Sequence, residues 1–177
     1  LVTNGEWIEF IDDNGYNEAP LWLMDGFTIC QNEKWIAPLY WWKESNEWFQ
    51  YTLNGPIKLD LNAPVSHISF YEADAFAKWK RKRLPTEFEW EVSSSKNISG
   101  NFLEKEKFVP TSTNTNENIS QMWGDVWEWT SSSFLPYPGF KTTEGSLGEY
   151  NGKFMSNQIV LKGGSCVCLL YTSDAAD

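Results

Sequence analysis

With 41% hydrophobic residues over 177 positions, the chain can bury the core of one ordinary domain, and no apolar run approaches the ~18 residues of a membrane span. Twenty-four acidic against fourteen basic side chains give a formal charge of −10, which disfavours nucleic acid and anionic membranes and suits a small cationic or zwitterionic ligand. Cys30, Cys166 and Cys168 have no framework spacing and no signal-peptide pattern precedes them, so the thiols read as reduced and the chain as cytoplasmic.

Thr3-Asn4-Gly5-Glu6 has capping-box spacing ahead of Trp7, Phe10 and Ile11, which predicts a short helix over 4–13 ending at Asn14-Gly15. Residues 20–49 carry Trp22, Trp35, Trp41, Trp42 and Trp48 with little period, the pattern of packed loops and short strands. Asn54-Gly55 marks a hairpin between 49–53 and 57–61, weakened by Pro56. Ser69 with Glu72 caps a second helix carrying Ala73, Phe76, Ala77 and Trp79 on one face. Its basic end, from Lys78 to Arg83, suits the negative end of a helix dipole. Pro85 breaks that helix, and Thr86 with Glu89 caps a third one bearing Phe88, Trp90 and Val92. Residues 93–120 turn polar and read as a long surface connection within the domain.

Read as a strand, 126–130 alternates, with Trp127 and Trp129 on one face and Val126, Glu128 and Thr130 on the other. Glu128 then needs a cation, a metal ion or several N–H donors, and spacing alone favours a buried structural salt bridge. Residues 159–161 read as a buried strand running into Gly163-Gly164-Ser165-Cys166. The eleven Trp, eleven Phe and seven Tyr suit aromatic-lined pockets as well as a bulky core. His67 is the only histidine, too few imidazoles for a usual zinc or non-haem iron site, and its expected role is structural. No GxGxxG, Walker A, HExxH or GxSxG pattern is present.

The run PVSHISFYEA from Pro64, RLPTE from Arg83, EWE from Glu89, then GDVWEWT and LKGGS, resembles the formylglycine-generating-enzyme/sulfatase-modifying-factor domain family. Within it the chain is most similar to the C-terminal domain of the iron(II)-dependent sulfoxide synthases of ergothioneine biosynthesis, through GNFLE from Gly100, FLPYPGF from Phe134 and GEYNGKFM from Gly148. The resemblance implies an α+β domain of C-type-lectin-like architecture: few short helices, small twisted sheets and much irregular backbone. It places that domain at 1–166, truncated at both ends, with 167–177 as a non-native or disordered tail.

Those synthases are oxidoreductases that join a thiol, cysteine or γ-glutamylcysteine, to trimethylhistidine with O2. Their Fe(II) is held by histidines of a preceding helical domain, so the resemblance implies that no catalytic residue or iron ligand lies in this chain and that it is inactive alone. It offers Trp127, Trp129, Tyr137 and Tyr150 as substrate-binding aromatics that attract a trimethylammonium group. The formylglycine enzymes also place calcium beside the tryptophan strand, which maps onto the carbonyls of Gly124 and Val126, the Glu128 carboxylate, and Gln121 where that pattern has Asn. Their copper pair is incomplete: Cys168 aligns with the first thiol, but Ser173 stands five residues further on. The alternatives are a copper-dependent formylglycine-generating oxidase and a non-enzymatic lectin-like binding module.

Overall fold

The computed structural model describes residues 1–94, 98–113, 119–146, 148 and 157–170. Its first half is organised by capped helices. In α1 (Asn4–Asp12) the Thr3 hydroxyl accepts from the Glu6 amide at 3.2 Å and the Glu6 carboxylate accepts from the Thr3 amide at 3.0 Å. The same reciprocal box starts α3 (Phe70–Trp79) at Ser69 and α4 (Glu87–Ser93) at Thr86, satisfying amide donors that a helix start leaves open. Trp7 and Phe10 of α1 are fully buried, and the Trp7 ring stacks on Phe76 of α3 with centroids 4.8 Å apart. This pair centres the larger core, with Tyr16, Trp22, Cys30, Trp41, Leu59 and Val65 around it.

The tryptophan-rich stretch contains a helix that periodicity does not reveal. Helix α2 (Met24–Asn32) starts at Leu23 with no side-chain cap and buries Gly26 and Cys30 instead of an apolar stripe. A Cβ on Gly26 would lie 2.4 Å from the Tyr71 ring, so small residues let α2 approach α3 closely. Strands β1 (Trp41–Glu44), β2 (Glu47–Thr52) and β3 (Gly55–Lys58) follow as an antiparallel meander, the first turn made by Ser45 and Asn46, both at positive φ. The expected hairpin is present, with Thr52 opposite Gly55 so that the turn lies one residue earlier than Asn54-Gly55.

A second, smaller core of Trp90, Phe102 and Trp123 lies under α4. It corrects the expectation that 93–120 is surface throughout, because Asn101 and Phe102 are buried and Asn101 bridges to Gly124. Strand β4 (Glu128–Ser133) pairs antiparallel with β5 (Ile159–Lys162) through a bulge between Trp129 and Ser133. It starts two residues later than expected, since the Val126 amide donates to the Gly124 carbonyl at 2.7 Å in a tight turn. The ladder is locked to α4 by Ser131 N–H donating to the Pro85 carbonyl and Glu87 N–H donating to the Ser132 hydroxyl. Packing continues across the expected boundary at 166: the Cys168 carbonyl accepts from Leu103 and the Leu170 amide donates to Glu104. Residues 171–177 lie outside the described residues.

Candidate functional site

Glu128 sits where β4, α4 and the Gly163-Gly164 turn meet. Its Oε2 accepts the Trp90 indole N–H at 3.1 Å, and its buried Oε1 has no hydrogen-bond partner among the described residues. Gly163, at φ +92°, leaves room there: an added Cβ would lie 3.3 Å from Oε1 and 2.7 Å from the Met122 carbonyl oxygen. Burial pushes the Glu128 carboxyl up to about 7 against the lowering effect of the Trp90 N–H. The expected salt bridge is therefore corrected, because the partner is a neutral indole. Of the flanking tryptophans, Trp127 is 40% exposed and Trp129 half-buried. Glu128, Trp90, Met122, Ile119, Pro85 and Arg83 line an open groove of about 740 Å³.

Beside it, α4 presents Glu87 and Glu91 one turn apart to the ammonium of Lys162, at 3.3 and 2.9 Å. Tyr137 donates its hydroxyl to Glu87 at 2.8 Å and stands 3.4 Å from Glu91. The hydrogen bond to Glu87, with burial adding to it, pushes the phenol up to about 12. Burial opposes the charge on Lys162, yet its hydrogen bonds to Glu91 and Glu87 outweigh that and raise the ammonium. Glu87, Tyr137 and Lys162, with Phe134, Leu135 and Gln158, line a cavity of about 260 Å³.

The aromatic candidates among the described residues have different neighbours. Tyr137 lines the smaller cavity, whereas Trp129 donates its indole N–H to the Ile68 carbonyl at 3.1 Å and meets Phe70 edge-on. Trp127 lines neither cavity, and Tyr150 lies outside the described residues. Two members of the expected calcium set also bond to other groups. The Gln121 amide donates to Asp125 at 2.9 Å and to the Thr111 carbonyl at 2.8 Å, and the Gly124 carbonyl accepts the Val126 N–H. The Glu128 Oε1, buried without a hydrogen-bond partner among the described residues, is an oxygen suited to a hard cation.

The donors present do not fit an iron site either. His67 sits at φ +61° with Nδ1 3.0 Å from the Ser66 hydroxyl and its ring against Tyr40. Among the described residues no group of three or more His, Cys, Asp or Glu could hold a metal ion. Cys166 is buried, which pushes its thiol up to about 11, and the half-buried Cys168 lies 3.2 Å from the Ser165 hydroxyl. Ser173 lies outside the described residues.

Sequence reasoning missed the partners: Trp90 for Glu128, the Glu87–Lys162–Glu91 group for Tyr137, and the buried Asp125 that ties Asn101, Thr111 and Gln121 together. The spacing of Glu87 and Glu91, one helical turn apart, was the available signal for the second.

Capped short helices on an aromatic core, a bulged two-stranded ladder and long irregular connections define an α+β domain with a polar cleft along one helix. The sulfatase-modifying factor enzyme 1-like domain model matches residues 1–118, and the chain belongs to that family. It is 32% identical to a hercynine oxygenase of Mycolicibacterium smegmatis over 93% of this chain and 44% of the relative. A hercynine oxygenase of Mycobacterium tuberculosis is 33% identical over 93% of the chain and 43% of its own length. The formylglycine-generating enzyme of Mus musculus is 27% identical over 94% of the chain and 55% of its length. The chain thus spans less than half the length of these hercynine oxygenases.

Proposed function

We propose that this chain forms the substrate-cleft domain of a cytoplasmic iron(II)- and O2-dependent sulfoxide synthase that joins a cysteine-type thiol to trimethylhistidine. The observation that carries this reading is the match to hercynine oxygenases across 93% of the chain, at higher identity than to the formylglycine-generating enzyme. Iron bound by a preceding helical domain would supply the oxygen chemistry, and residues 1–166 would shape one wall of the cleft. Within that wall, Glu87 and Glu91 accept from the Tyr137 hydroxyl, and the bond to Glu87 keeps it protonated at neutral pH. The exposed faces of Tyr137 and Trp127, on a chain of formal charge −10, favour a quaternary ammonium ligand over an anionic one. No described helix is long and apolar enough to cross a membrane.

The test uses the gene together with its upstream coding sequence. The purified product is supplied with Fe(II), O2, trimethylhistidine and either cysteine or γ-glutamylcysteine, and products are read by mass spectrometry. A sulfoxide joining thiol and imidazole is expected. Formylglycine formed in a cysteine-containing peptide would replace this reading with the copper-dependent oxidase, and ligand binding without turnover would leave a lectin-like binding module.

A further inference from the structure

The aromatic core holds a polar pair that packing alone does not require. Tyr16, 3% exposed, donates its hydroxyl to Glu72 Oε1 at 2.8 Å and accepts the Trp7 indole N–H at 3.2 Å. Glu72, 4% exposed, has no ion-pair partner among the described residues. Its other oxygen accepts the Ser69 amide at 2.7 Å, which is all the capping box asks of it. A phenylalanine at 16 would fill the same space.

From this pair an unbroken run of rings leads outward. Trp7 stacks on Phe76 at 4.8 Å with planes 8° apart, and Phe76 meets Trp79 at 5.4 Å. Trp79 is half-buried, and its indole N–H donates to Asp13 at 2.9 Å on the exposed side of α1. Each oxidisable end of the run has a carboxylate against its acidic proton. Burial raises the Glu72 carboxyl, which makes it a better proton acceptor than an exposed glutamate.

We propose that Tyr16 and Glu72 form a proton-coupled redox pair connected through Trp7 and Phe76 to the surface indole of Trp79. The phenol loses one electron to a one-electron oxidant, and its proton moves along the 2.8 Å hydrogen bond to Glu72 Oε1. A neutral tyrosyl radical and a neutral carboxylic acid remain. A thiol in solution returns the electron through Trp79, becoming a thiyl radical and releasing its own proton to water, while the Glu72 proton goes back to the phenol oxygen. Partially reduced oxygen species, which the proposed function would generate, belong to this class of oxidant; the relay itself does not rest on that reading.

The test is photochemical and uses the 177-residue chain. A ruthenium polypyridyl complex with a sacrificial acceptor oxidises the protein from solution, and tyrosyl radical is measured by electron paramagnetic resonance after freezing. The wild-type signal is expected to include a Tyr16 component, and that component should be lost in Tyr16→Phe. Glu72→Gln keeps the capping box and the shape yet removes the proton acceptor, so the yield should drop by about tenfold or more. Trp79→Phe should lower the buried radical comparably while exposed Tyr40, Tyr51 and Tyr137 still oxidise. Circular dichroism verifies each fold, and the Glu72 and Trp79 variants decide the matter if Tyr16→Phe does not fold. Wild-type yield in either folded variant, or an unchanged signal in folded Tyr16→Phe, overturns the proposal.

Discussion

Lys162 stands directly across the β4–β5 ladder from Glu128, yet its ammonium reaches Glu91 at 2.9 Å, and Glu128 takes the Trp90 indole N–H instead. The cross-strand cation thus serves the helix, and the strand carboxylate lies buried against a neutral donor. Buried charge without a cation is costly, which is why Glu128 holds its proton up to about 7.

This arrangement sets the sign of a pH effect. A carboxyl whose folded pKa is raised binds more protons folded than unfolded, so its contribution is complete below the ordinary value of 4.5 and is lost as pH rises through about 7. Wild type should lose on the order of 1–3 kcal/mol between pH 5 and 8 relative to Glu128→Gln, which keeps an acceptor for Trp90 without a charge. Denaturant midpoints of both proteins at the two pH values, in chelator, test this. A wild type that melts higher than the variant only when Ca²⁺ is added would instead show that Glu128 holds the ion.

Lys162→Met should be far more destabilising than Arg83→Met. The Lys162 side chain is 8% exposed and Glu87 13%, so removing the ammonium leaves two carboxylates close together with one of them largely shielded from solvent. Breaking such a pair costs about 3–5 kcal/mol. Arg83 pairs with Glu89 in full solvent exposure, where ion pairs contribute little. Equal shifts in urea midpoint for the two variants would show that Lys162 is not the tie between β5 and α4.

How much of this was legible follows from the range of each interaction. The three capping boxes are written within four residues, so α1, α3 and α4 were readable, as was the hairpin at Asn54. Helix α2 was hidden because its buried face is Gly26 and Cys30, and the role of Gly26 depends on Tyr71, 45 positions further along the sequence. Glu128 was recognised as needing a partner, but the choice between an ion and an indole depends on how α4 lies across β4. The partners of Trp129 and Tyr137 were hidden for the same reason: the bulged ladder and the following loop send rings that are near in sequence to different neighbours.

Gly100 should tolerate no side chain. A Cβ there would fall 1.8 Å from the Trp123 carbonyl oxygen, a backbone atom that cannot swing aside, and the adjoining Asn101–Gly124 bridge holds the two segments together. Gly100→Ala is expected to cost about 1–3 kcal/mol or more through forced separation of those segments. Gly139→Ala is the comparison, since its added Cβ would meet nothing within 4 Å and only its φ of +87° opposes the change. Thermal melts monitored by tryptophan fluorescence should show the Gly100 variant unfolding first, with the Trp90–Trp123 contact reporting the loss.

Supplied with Fe(II), O2, a thiol and trimethylhistidine, the 177-residue chain by itself should form no sulfoxide. Its single imidazole sits beside the Ser66 hydroxyl and against the Tyr40 ring, is not among the residues lining the Glu87–Tyr137–Lys162 cavity, and burial lowers rather than raises its basicity. Carboxylates could hold Fe(II) weakly, but an ion without two or three imidazoles would be poorly fixed, and catalysis would forfeit the orientation of thiol, imidazole and oxygen. Anaerobic titration with Fe(II), followed by exposure to O2 and mass spectrometry, measures both binding and turnover. Adding back the upstream coding sequence should restore both, and the restored enzyme should lose affinity for trimethylhistidine when Tyr137 is changed to Ala. Stoichiometric iron and turnover in the 177-residue chain would move the chemistry into this domain, and full affinity in the Tyr137 variant would take the aromatic cleft wall away from the smaller cavity.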